Sequence, residues 1–171
     1  MGHIELARWA DMVLIAPATA DFIATMVHGR ANSLLNAVYL ATPTMVAVAP
    51  AMNQGMWSHP ATTANMEQLS QRQVKIFGPD SGIQACGDIG PGRMQQPDML
   101  VEQVAACFAS LQLSGKKLVI ASSLSSCVTS TTCDSLDCTA SLSKIDTRTM
   151  WTSKTPNSVE CKSGASSSTR Q

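Results

Sequence analysis

Two short apolar runs, Met12 to Ala16 (MVLIA) and Thr44 to Ala49 (TMVAVA), constrain the fold of this chain more than any other feature. Each ends at a Pro-Ala pair, Pro17-Ala18 and Pro50-Ala51. A strand with one solvated face alternates apolar and polar residues, so an unbroken run predicts a strand covered on both faces. Helical stretches lie between such runs. Thr19 to His28 places Ala20, Ile23, Ala24 and Val27 on one face, and Asn32 to Leu40 reads as a second helix capped by Asn32. Thr62 to Gln71 is helical, Val74 to Phe77 (VKIF) is a strand stopped by Gly78 and Pro79, and Pro97 starts a helix over Asp98 to Leu111. Lys117 to Ile120 is a last strand. Strands separated by helices predict an α/β chain: an open parallel sheet with helices on both faces. Ligands in that architecture bind at the carboxyl ends of the strands.

Charge excludes some partners. Lys plus Arg and Asp plus Glu number 12 each, so nothing electrostatic points to nucleic acid or to an anionic membrane surface. No apolar run approaches the ~20 residues of a membrane span. Met12 to Ala20 loosely resembles a signal peptide, but Glu5 and Asp11 stand in its would-be basic region and Pro17 breaks its apolar block. A cytoplasmic protein is expected.

Composition changes near Ile120. Residues 121–171 hold 23 Ser or Thr among 51, with few large apolar groups. Such a stretch buries too little apolar surface to offset its chain entropy, and a mostly disordered tail is expected, leaving residues 1–120 as the domain. The tail carries Cys127, Cys133, Cys138 and Cys161. They form no C-x-x-C pair, and His3, His28 and His59 are far away in sequence, which argues against a metal site. A disulfide framework is not expected beside a domain of cytosolic character.

Three unusual loops follow the first three strands: Pro17-Ala18-Thr19-Ala20-Asp21, then Pro50 to Trp57 (PAMNQGMW), then Gly78 to Met94. Parallel topology brings all three to one edge of the sheet. The third contains Ala85 to Met94 (ACGDIGPGRM), a thiol followed by three glycines, a proline and an arginine. Glycines let backbone N–H groups turn toward a ligand, and arginine forks onto phosphate or carboxylate. Taken singly, each loop reads as a simple strand-ending turn; together they point to a site.

These motifs carry a resemblance. PAMNQGMW matches the Pro-x-Met-Asn-x-x-Met-Trp motif of the flavin-dependent cysteine decarboxylases, and APATAD resembles their Pro-Ala-Ser-Ala-Asn motif, with Thr19 for Ser and Asp21 for Asn. ACGDIGPGRM and Gly2-His3-Ile4-Glu5-Leu6 match the cysteine loop and histidine motif of the phosphopantothenoylcysteine decarboxylase branch. Residues 1 to about 120 therefore look like the flavoprotein half of the bacterial bifunctional coenzyme A biosynthesis proteins. The resemblance implies a Rossmann-like or flavodoxin-like fold and FMN as cofactor. It implies decarboxylation of 4'-phosphopantothenoylcysteine to 4'-phosphopantetheine, and assembly as a homotrimer or an oligomer of trimers.

The residue roles follow from the same resemblance. Oxidation of the substrate's cysteinyl side chain to a thioaldehyde places a C=S beta to the carboxylate, where it accepts the electron pair as CO2 leaves. His3 corresponds to the histidine serving the oxidation and decarboxylation half. Asn53 corresponds to the asparagine that binds the substrate carboxylate, and Cys86 to the proton donor of the final reduction. Pro17, Thr19, Ala20 and Met56 are candidate FMN contacts; Met52 and Arg93 are candidate substrate contacts. The bland readings are a surface histidine, a turn asparagine and a buried small thiol. Cys107, in a helix beside Ala105 and Ala106, is read as the last of these.

Both ends depart from the family pattern. Family members begin with a strand and a glycine- and serine-rich loop that cradles the FMN phosphate at a helix N-terminus, and neither precedes His3 here. Losing a central strand is expected to expose sheet edges. After Leu113 to Ile120 (LSGKKLVI) the chain leaves the pattern of the bifunctional relatives, which suggests a frameshift or rearrangement near Ala121, with a genuine flexible tail as the alternative. Three other readings stay open at this level: a peptidyl-cysteine decarboxylase, a non-enzymatic flavoprotein-like subunit, and an inert fragment.

Overall fold

The computed structural model describes residues 2–84, 87–108, 113–124 and 128–133. The first apolar run is β1 (Met12–Ala18), and every one of its residues is buried. It is the middle strand of a five-stranded sheet. β2 (Met45–Pro50) pairs with it in parallel on one side and β6 (Lys117–Ala121) in parallel on the other. β3 (Lys75–Ile76) extends the sheet in parallel beyond β2, and β7 (Val128–Thr132) closes the other edge antiparallel to β6. Val13 sits between Val46 and Val119, and Ile15 between Val48 and Ala121.

The two-residue period of β1 divides the core. Val13 and Ile15 face α1 (His3–Trp9), α2 (Ala20–Val27), α3 (Leu34–Ala41) and α5 (Pro60–Gln71), packing with Leu6, Ile23, Met26, Val38 and Leu69. Met12, Leu14 and Ala16 face the other way, toward Leu100, Val104 and Phe108 in and just after α6 (Pro97–Ala106). Among the described residues, helices thus cover both faces, as the sequence predicts, with α1, α2, α3 and α5 on one side and α6 on the other. Burying an aliphatic side chain such as Ile15 or Leu14 contributes about 1.5–3 kcal/mol, so β1 is the structural centre of the domain.

Capping explains the helix starts. Thr19 caps α2 by accepting the Phe22 N–H at 3.3 Å. The second helix is capped by Ser33, which accepts Asn36 N–H at 3.1 Å, and not by Asn32; the Asn32 side chain instead accepts from Asn36 Nδ2 at 2.6 Å. His59 Nδ1 accepts Ala61 N–H at 3.1 Å, and Pro60 occupies the first turn of α5.

Among the described residues, five elements differ from the sequence expectation. Residues His3 to Trp9, read only as a motif, form α1, with Glu5 accepting the Gly2 N–H at 3.0 Å and Thr42 Oγ1 donating to the Ala7 carbonyl at 3.1 Å. Asn53 caps a one-turn helix, α4 (Gln54–Trp57). The third loop is a hairpin of β4 (Asp80–Ile83) and β5 (Ile89–Arg93), whose glycine- and proline-rich strands carry no apolar alternation. β7 lies in the stretch expected to be a disordered tail. Its threonines suit an edge strand, where the ladder of β6 supplies backbone partners. Cys133, just after β7, is disulfide-bonded, contrary to the expectation from compartment; its partner lies outside the described residues. The rest of the tail, from residue 134, is also outside them.

Candidate active site at the carboxyl ends of the strands

The three loops meet where parallel topology predicts. Ala51 N–H donates to the Ala18 carbonyl at 3.0 Å, joining the second loop to the first. Met52 N–H donates to the Gly92 carbonyl at 2.9 Å, joining the second loop to the hairpin. Gly92 has φ of +133°, and a Cβ there would collide with the Met52 carbonyl oxygen. Only glycine allows this backbone approach.

Asn53 lies at the centre of the junction. Its Oδ1 accepts the Gly55 N–H at 2.7 Å, which starts α4. Its Nδ2 donates to Gln84 Oε1 at 3.2 Å and to Asp88 Oδ2 at 3.1 Å. Gln84 is 6% exposed, whereas Asp88 stands at the surface. Gln84 Oε1 also accepts the Gln54 N–H at 3.0 Å, and its Nε2 donates to the Pro91 carbonyl at 3.1 Å. The hairpin turn closes through Gln84 N–H to the Asp88 carbonyl at 2.8 Å and Gly87 N–H to the Gln84 carbonyl at 2.9 Å. A neutral amide thus faces a carboxylate at the mouth of the sheet. An amide N–H orients an anionic oxygen without a formal positive charge.

A second polar group sits at the end of β1. Ser123, two residues past β6, donates its hydroxyl to the Pro17 carbonyl at 2.8 Å and accepts the Thr19 N–H at 2.9 Å. Pro17 is buried on β1, and Thr19 and Ala20 are half-buried at the start of α2.

The Flavoprotein family model matches residues 1–109. The chain belongs to that family. It is 57% identical over 109 residues to the Coenzyme A biosynthesis bifunctional protein CoaBC of Escherichia coli (strain K12), covering 64% of this chain and 27% of the relative. The chain spans between about a quarter and a third of the curated relatives it matches, 27% of that protein and 30% of its Vibrio parahaemolyticus counterpart. Among solved structures it resembles a cysteine-to-serine variant of a PPC decarboxylase complexed with pantothenoylaminoethenethiol. The TM-score there is 0.60 at 34% identity, over 61% of this chain and 59% of that one. The FMN binding protein AtHal3 matches with TM-score 0.58 and 34% identity, over 63% and 60% of the two chains. These matches agree with the flavodoxin-like fold that the family resemblance implies, and the family makes a flavin the cofactor class.

The fold brings some of the predicted site residues together. Asn53 and Met52 join the hairpin directly, and Pro17, Thr19 and Ala20 reach them through the Ala18–Ala51 hydrogen bond. Met52 is buried, whereas Met56 on α4 is half exposed. Arg93 ends β5 opposite Asp80 and is exposed; a Cβ on Gly82 would lie 3.6 Å from its side chain. His3 is exposed at the first position of α1, and among the described residues it makes no hydrogen bond to Asn53 or its partners. Cys86 lies outside the described residues. Cys107 caps α6, half-buried and with a free thiol against the second core.

Sequence reasoning missed Gln84, Asp88 and Ser123. Gln84 and Asp88 flank the cysteine loop, and only the pairing of β4 with β5 brings them to Asn53. Nothing in the sequence around Ser123 separates it from the surrounding serines.

Proposed function

We propose that this chain is the FMN-dependent decarboxylase that converts 4'-phosphopantothenoylcysteine to 4'-phosphopantetheine in coenzyme A biosynthesis. The observation that carries this reading is the Asn53 amide, whose Nδ2 already faces a carboxylate oxygen, Asp88 Oδ2, at 3.1 Å. A substrate carboxylate held by that N–H is oriented by a neutral donor. A positive partner would stabilise the carboxylate charge and oppose loss of CO2; an amide does so far less. His3 moves protons in the oxidation and decarboxylation half, and Cys86 donates the proton that completes the product. Met52 and Arg93 contact the substrate, and the Arg93 guanidinium suits its phosphate.

FMN, when bound, supplies the two-electron oxidation and the returning reduction. The donor set at the end of β1 fits a flavin. The Thr19 hydroxyl and the Ser123 hydroxyl are neutral groups lying within 3.4 Å of each other, suited to ribityl hydroxyls and ring edges. Pro17, Thr19, Ala20 and Met56 would hold it.

Residues 1–120, with Ser123 just beyond them, are the catalytic unit in this reading, in the cytoplasm, acting as a homotrimer or a larger assembly of trimers. Ile83 and Ile89, both exposed and paired across the hairpin, support a subunit contact there. Among the described residues no helix is long and apolar enough to cross a membrane.

Two measurements test the proposal. The first is an absorbance spectrum of the size-fractionated protein after addition of FMN. A shifted, resolved flavin band travelling with a trimer-sized peak is expected; free flavin and aggregated protein would overturn the reading. The second is product mass for Cys86→Ser. Stalling before the final reduction predicts loss of CO2 together with two hydrogens, and a fully reduced product would remove Cys86 from the role.

A further inference from the structure

We infer that Gln84 is a positioning residue that sets the orientation of the Asn53 amide and so aims one of its N–H groups toward the open mouth of the site. The inference rests on the proposed carboxylate-binding role of Asn53. A primary amide has a donor end and an acceptor end of nearly the same shape, and packing alone does not distinguish them. Here the distinction propagates along a chain of hydrogen bonds. The Pro91 carbonyl can only accept, so it takes the Nε2 end of Gln84 at 3.1 Å. The Gln54 N–H can only donate, so it takes the Oε1 end at 3.0 Å.

Gln84 therefore presents an acceptor to Asn53 and requires its Nδ2 end, at 3.2 Å. The Gly55 N–H imposes the complementary choice on Asn53 Oδ1 at 2.7 Å. With one Nδ2 hydrogen directed at Gln84, the other points toward Asp88 Oδ2 at 3.1 Å, on the exposed side. Gln84 is buried, and Gly92 makes room for it: a Cβ there would lie 3.0 Å from Gln84 Nε2. One side chain thus links the hairpin, the start of α4 and the carboxylate-binding amide. Burial makes the arrangement stiff, because an unpaired polar group at that depth is costly.

The test is a mutant cycle in the full chain, with Gln84→Met and Asn53→Ala singly and combined. Gln84→Met keeps length and bulk and removes both hydrogen-bonding ends. It is expected to lower kcat/KM on 4'-phosphopantothenoylcysteine by about 10- to 100-fold, the range for a misplaced site group. On the Asn53→Ala background it is expected to have no further effect, since a residue acting through Asn53 loses its lever when that amide is gone. The same fold-loss on both backgrounds would mean a general structural role and overturn the inference. Gln84→Glu keeps the acceptor oxygen for Asn53 and Gln54, and is expected to recover part of the loss.

A readout independent of turnover is the pair of Asn53 side-chain amide proton resonances, assigned in nitrogen-labelled protein by their loss in Asn53→Ala. They are expected to be distinct in the starting protein and to shift or converge in Gln84→Met. Unchanged resonances would overturn the inference. If no variant and not even the starting chain turns substrate over, the decarboxylase reading fails, while the resonances still decide the role of Gln84. Should Gln84→Met not fold, Gln84→Asn draws the acceptor back by one methylene, and the same outcomes apply to it.

Discussion

Ser123 accepts the backbone N–H of Thr19 at 2.9 Å, although 104 residues separate them. The same hydroxyl donates to the Pro17 carbonyl at 2.8 Å, so a single side chain after β6 ties the end of β1 to the first residue of the α2 cap. Parallel pairing of β1 with β6 is what brings the two together. Replacing Ser123 with Ala removes the acceptor for Thr19 and is expected to lower stability by about 1 kcal/mol. Urea denaturation measures it, and a midpoint equal to the starting protein's would show that the contact contributes nothing.

Gly92 and Gly87 both have positive φ, at +133° and +87°, but their surroundings differ. A Cβ at Gly87 meets nothing within 4 Å, whereas one at Gly92 runs into the Met52 carbonyl oxygen and Gln84. Gly87→Ala is expected to cost about 1–2 kcal/mol from backbone conformation alone. Gly92→Ala adds the clash and is expected to cost at least about 1 kcal/mol more. Denaturation of both variants checks the order; equal losses would contradict the close approach of the hairpin to the Met52 carbonyl.

Asn53→Asp separates capping from recognition. The carboxylate still accepts the Gly55 N–H that Asn53 Oδ1 accepts at 2.7 Å, so the cap of α4 is expected to persist. A second carboxylate then faces Asp88, and an incoming substrate carboxylate meets repulsion in place of a donor. Substrate binding is expected to weaken by at least about tenfold, equivalent to ~1.4 kcal/mol. Calorimetric titration measures it, and unchanged affinity would take Asn53 out of the site.

Leu100 and Met99 are neighbours on α6 with opposite environments: Leu100 is fully buried in the second core and Met99 is 45% exposed. Leu100→Ala is expected to cost about 2–5 kcal/mol through lost burial and the cavity left behind. Met99→Ala is expected to stay within about 0.5 kcal/mol. Thermal melts of the pair report whether α6 covers the second face of the sheet in solution.

The parallel strands and their order along the chain were legible because β1, β2 and β6 are short apolar runs, a pattern that buried strands share and loops lack. Helix starts were legible within a few residues where a capping side chain stood, as at Thr19; the cap of α3 was misread because Asn32 and Ser33 are adjacent and equally good caps. The β4–β5 hairpin was not legible. Its strands, DSGI and IGPGR, are stabilised by pairing with each other and by packing against the Asn53 loop, neither of which leaves an apolar rhythm. β7 escaped notice for the same reason, since an edge strand of Ser and Thr depends on its neighbour's ladder.

The candidate site divides in the same way. Its membership around Asn53 is written in local motifs, because a Pro-Ala turn and a cap before a short helix are made by adjacent residues. The orientation of the Asn53 amide is not, because Gln84 and Asp88 lie 31 and 35 residues away and reach it only through the hairpin. By itself the sequence determined the parallel layered architecture and the three loops at one edge, since burial on both faces and turn chemistry act over a few residues. Only the tertiary structure decided how those loops interlock and which end of each buried amide faces which partner. Those choices depend on hydrogen bonds between distant segments, which no local pattern records.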